Sequence, residues 1–238
     1  MVCIVSTTNL GGLFKMRKIL ILLSVLAFAA LANAQWQSVV GSPHDLSSTG
    51  GAPAALKATN TTWVCDFCHT PHQASAVGGQ YPLWNHTPTA TAHFGVYSSP
   101  TMNASPADIG VSAMGGAVVS FLCMSCHDGT IGMGNLYKQP VLTSGTTVSN
   151  SAALMPSTWS VMLGTSLTDD HPINFAYNNA LYLADSGLND PSTTAVSSLL
   201  VGGTVQCSSC HDVHNNYNFP FLVKSNASSA LCTTCHHK

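Results

Sequence analysis

Residues 65–72 read CDFCHTPH, two thiols and two imidazoles within eight positions. A zinc ion accepts such ligands, a redox pair uses the thiols, and a haem uses all four. The other cysteines decide between them. Apart from Cys3, every cysteine belongs to a C-x-x-C pair, and histidine follows each pair: Cys65, Cys68 and His69; Cys123, Cys126 and His127; Cys207, Cys210 and His211; Cys232, Cys235 and His236. Four disulfides would leave those histidines unexplained. With 11 histidines in 238 residues, chance placement behind all four pairs falls below about one in 100,000. A zinc ribbon tolerates the 21 residues between Cys210 and Cys232, but it needs no histidine directly after each pair. Thioredoxin-type pairs come singly on a βαβ scaffold, and no such pattern surrounds these.

C-x-x-C-H is the attachment motif of c-type haem. On one helical turn, cysteines three apart reach the two vinyl groups as thioethers, and the next residue stands under the iron. His69, His127, His211 and His236 are therefore the expected proximal ligands, with four covalently attached haems held by the eight paired cysteines. Seven histidines remain: His44, His72, His86, His93, His171, His214 and His237. His72 and His214 each sit three residues past a motif histidine. A residue so close cannot cross to the far side of its own haem, so it is expected to reach the iron of a neighbouring one. His171 follows Asp169 and Asp170, which can orient an imidazole. His44, on a short arm after Gly41, Ser42 and Pro43, is the fourth expected distal ligand. Such an arm either folds back onto its own subunit or swings out to a neighbour's haem. His86 beside Trp84, His93 in an alternating run and His237 beside a proximal ligand are left out of the ligand set.

The ends and the charge bound the rest. Residues 16–34, MRKILILLSVLAFAALANA, have a short basic start, an apolar run and a small-residue exit, the pattern of a secretory signal cleaved after Ala34, with Met16 as the expected true start. The reading is a leader over 1–34 and one domain over 35–238, exported to the extracellular space or outer cell surface, with the periplasm as the alternative. No later segment is apolar and long enough for a membrane span. Past Ala34 four lysines face nine aspartates, 4 − 9 = −5, which argues against nucleic acid as a partner. Residues 67–106 and 139–168 carry no charge at all, so little repulsion opposes self-association. The expected fold is mostly irregular coil, with short helices and few strands, wrapped around a stack of four haems. It falls into two loosely repeated dihaem halves, about 35–140 and 141–238, each with one C-x-x-C-H-x-x-H and one plain C-x-x-C-H.

The stretches SPHDL (42–46), CDFCHTPH (65–72), YPLWNH (81–86), CMSCHDGT (123–130), LGTSLTDDHPINF (163–175), CSSCHDVH (207–214) and FLVKSNASSALCTTCH (221–236) together resemble multihaem c-type cytochromes. In particular they resemble the tetrahaem outer-membrane cytochrome E type of metal-reducing bacteria, which polymerises into extracellular conductive filaments. The resemblance implies bis-histidine irons in a continuous stack, and a histidine from one subunit completing a haem of the next. The expected function is electron transfer without catalysis, with redox partner proteins, external acceptors and a head-to-tail homopolymer as partners. The alternative is a monomeric periplasmic electron shuttle.

Overall fold

The computed structural model describes residues 38–75, 83–114, 119–142 and 145–237. The expected leader, Cys3 and Met16 lie outside the described residues. Most of the described chain is turn and coil, as glycine, proline and small polar residues dictate. Regular structure is confined to short pieces. Strands β1 (Gly95–Val96) and β2 (Ser166–Leu167) pair in parallel, and β3 (Phe175–Ala176) pairs antiparallel with β4 (Thr204–Val205). The helices Val119–His127, Cys207–Cys210 and Cys232–Cys235, and the 3-10 turn Cys65–Phe67, each carry a C-x-x-C motif.

Three apolar clusters replace one large core. The first joins Leu46, Leu56, Phe67, Met133, Val148 and Met155, so it takes in residues of the uncharged connector. The second gathers Phe175, Tyr177, Leu181, Leu188, Val196 and Val205 around the fourth motif's Cys235. A small third cluster, Phe94, Ile109, Met124 and Leu167, lies under the Val119–His127 helix. Polar side chains then stitch the coil. Asn85 is 1% exposed; its amide nitrogen donates to Asp66 O (2.6 Å) and Lys138 O (3.0 Å), and its Oδ1 accepts from Lys138 N (2.8 Å). Asn85→Ala is expected to cost about 2–3 kcal/mol, because buried backbone groups on two segments lose their partners. Chemical denaturation should show the lower midpoint.

The two C-x-x-C-H-x-x-H segments share one loop geometry. After the first, Thr70 N donates to Leu83 O (2.8 Å), Asn85 N to Cys68 O (2.8 Å), and His69 bridges Trp84. After the second, Asp212 N donates to Phe221 O (2.8 Å), Val223 N to Cys210 O (3.0 Å), and His211 bridges Leu222. Leu83 and Phe221 occupy the same place, and both have positive φ (65° and 62°), a conformation bulky residues seldom adopt. Pro82 and Pro220 precede them.

Candidate functional site

The four motifs meet in chain order. Burial raises the Cys126 thiol, and the nearby Cys68 of the first motif raises it further. The Cys123 thiol hydrogen-bonds the Cys207 sulfur, which raises Cys123 and lowers Cys207 to about 7. Burial raises Cys210, and Cys235 and Cys232 of the fourth motif lie close enough to add to this. Motif one thus lies near two, two touches three, and three lies near four. No disulfide links any two of the eight cysteines.

A buried polar clamp fixes the second motif against the third. Ser120 Oγ donates to Gln206 Oε1 (2.5 Å) and accepts from Cys207 N (3.0 Å). Gln206 Nε2 reaches Asn174 Oδ1 and Thr204 Oγ1, each at 3.1 Å, and Gln206 N donates to Ser209 Oγ (2.9 Å) at the start of the Cys207–Cys210 helix. Gln206 is 2% exposed and ties β4, both motif helices and the Asn174 turn together. The sequence reading missed it; a glutamine immediately before a motif was the available signal.

The imidazoles come together in pairs. His69 and His214 stand 6.1 Å apart between ring centres, His44 and His127 6.2 Å, and His171 and His236 6.4 Å. Two imidazoles bonded through nitrogen to one metal at about 2.0 Å each place their ring centres about 6.3 Å apart. The pairing has a rule: each upstream histidine, His44 or His171, faces the plain motif of its own half. Backbone carbonyls orient the rings. Nδ1 of His127 contacts Val161 O (2.7 Å), that of His211 Pro220 O (3.0 Å), and that of His171 Pro172 O (2.9 Å). An Nδ1–H engaged this way leaves Nε2 for a metal. Asp169 and Asp170, the residues expected to orient His171, give way to that carbonyl.

His44 sits deeper than a loose arm would. Its Asp45 neighbour, 2% exposed, accepts from Gly41 N (2.8 Å) and Ser47 Oγ (2.6 Å), which folds the segment into a tight turn. The Phe221 ring meets the imidazole edge-on at 4.6 Å. Burial, then the neighbouring His127, His211 and His214, push His44 down to about 4 and keep it neutral. The arm is docked on its own subunit.

His211 and His72 remain. Both are exposed, and among the described residues no ring lies against either. The three excluded histidines have other partners. His86, 1% exposed, has Nδ1 3.0 Å from Thr87 O and Nε2 3.1 Å from Gly132 O and 3.5 Å from Cys126 Sγ, and its single N–H donates to one of the two carbonyls. His93 pairs with Asp108 at 2.6 Å, and His237 with Asn189 Oδ1 at 3.0 Å. Beside the fourth motif, Phe175, Tyr177, Leu188, Cys232 and His236 line an apolar cleft of about 260 Å³.

Residues 201–238 match the family described as "Doubled CXXCH motif". The match covers the third and fourth motifs, indicates covalently bound c-type haem, and supports a multihaem cytochrome involved in electron transfer. Among curated proteins the chain finds no match. Among the described residues no helix is long and apolar enough to cross a membrane.

Proposed function

We propose that this chain is exported, carries four covalent haems and passes electrons along them in motif order, and that its copies join head to tail into a conducting filament. The observation that carries the reading is the set of three imidazole pairs at 6.1–6.4 Å, each holding one motif histidine. When bound, haem iron supplies a one-electron couple whose potential the axial ligands and their surroundings tune. The residues present fit that group. The paired cysteines would hold the haems as thioethers, His69 with His214, His127 with His44 and His236 with His171 would offer nitrogens to the iron, and apolar walls line the site at the fourth motif. Among the described residues the buried His44 Nδ1 and Trp84 Nε1 find no hydrogen-bond partner, which suits a cofactor bearing carboxylates of its own.

The remaining haem, at the third motif, would be held by His211 and by His72 of another copy. The repeated loop geometry supports this. Within one chain the second half reaches the first, with His214 facing His69. The same relation run from the first half to the second places His72 against His211, and among the described residues no ring lies against either of them. A contact of that kind is heterologous, and where its rotation does not close into a ring it builds a filament. With both axial positions filled no iron is open to substrate, and the protein transfers electrons to partner proteins and external acceptors without catalysing a reaction.

The second reading is a single-chain shuttle, favoured by the exposure of His211, whose iron then keeps one axial position open. Intact mass should show the chain past Ala34 plus four haems. Size-exclusion chromatography with negative-stain microscopy should show filaments whose haems are all low-spin, and dilution to single chains should turn one in four high-spin. Monodisperse single chains with four low-spin haems would overturn the filament.

A further inference from the structure

We propose that Leu83 of one copy seats against His171 of a second copy and helps to set the register between them. The inference rests on the head-to-tail reading. Within one chain, two of the ring contacts join the second half to the first: His214 faces His69, and Phe221 packs edge-on to His44 at 4.6 Å. Leu83 is the equivalent of Phe221, by its backbone hydrogen bonds and its positive φ. His171 is the equivalent of His44, since each faces the plain motif of its own half. The counterpart of the Phe221–His44 contact is therefore Leu83 on His171.

Exposure divides the same way. Phe221 is 5% exposed and its equivalent Leu83 46%. His44 is half-buried and its equivalent His171 exposed. Beside His171 lies a shallow apolar notch of about 10 Å³ lined by Val96, Tyr97, Ile109, Leu167 and Ile173, across which an aliphatic side chain would rest without entering it. Both members of the pair belong to this chain, so the occupant is a second copy. The contact covers the imidazole edge with hydrocarbon, as Phe221 covers that of His44, and holds its ring against rotation.

The test uses the full haem-loaded protein and two substitutions. Leu83→Asn removes the hydrocarbon but suits positive φ, so the loop keeps its shape. It should raise the concentration needed for assembly about tenfold, the loss of a central interface contact. Leu83→Phe, which installs the residue used by the second half, should assemble at or below the wild-type concentration. Haem content and the single-chain spectrum should be unchanged in both variants, which confirms the fold. Assembly of Leu83→Asn at the wild-type concentration would overturn the contact while leaving the filament standing. Failure of the wild-type protein to assemble at any concentration would remove the filament and this contact together.

Discussion

His72→Ala is expected to leave four haems attached, to turn one of them high-spin and to abolish assembly in a single step. The substitution touches no thiol and no motif histidine, so attachment is untouched. His72 is exposed and among the described residues no ring lies against it, so the isolated subunit loses almost no stability. What disappears is a metal–nitrogen bond between copies, with nothing of comparable strength to replace it in a surface so poor in charge. His44→Ala supplies the contrast. It should also give one high-spin haem, this time above His127, but its particles should persist because His44 faces its own subunit. Absorption spectra and negative-stain images of the two variants read both properties. Persistent filaments in His72→Ala would show that copies are held by packing alone.

Gln206→Leu is expected to be the most damaging substitution away from the motifs. Leucine strands Ser120, Asn174 and Thr204, each of which donates to or accepts from the glutamine amide in a buried setting. Leaving several such groups unmet costs about 3 kcal/mol or more together, which for a domain of this size lowers the melting temperature by about 10 °C. The clamp also sets the second motif against the third, where Cys123 meets Cys207. Coupling between those two haems should therefore weaken, seen as a reduced exciton splitting in the Soret circular dichroism. Gln206→Glu keeps the acceptor for Ser120 and should recover part of both losses. A full melting temperature in Gln206→Leu would mean that the clamp is ornamental to stability.

The motifs were legible because covalent attachment needs fixed spacing, and no fold is required to see it. The coil character was legible too, from the density of glycine, proline and small polar residues. The pairing of His171 with His236 was not, since 64 residues separate them and no local periodicity links them. Likewise the shared loop of the two halves was hidden. Its marks are backbone bonds and positive φ at Leu83 and Phe221, residue types that give no hint of that conformation, and the two loops differ in length. The docked His44 had a legible cue that was passed over: Asp45 directly after it, a short carboxylate able to tie a turn to its own backbone. An arm bearing such an anchor is folded, not loose.

The contact of motifs in chain order has a consequence for how the protein is made. A polypeptide emerges N-terminus first, so the thiols of each new motif arrive beside a partner that is already present. His44 precedes everything and waits for His127; His171 waits for His236. Only His214 works backwards, because the first motif needs a histidine that lies beyond the third. The pairing of His69 is therefore completed only after the third motif has been made, later than that of His127, although the first motif is the earliest of the four to emerge.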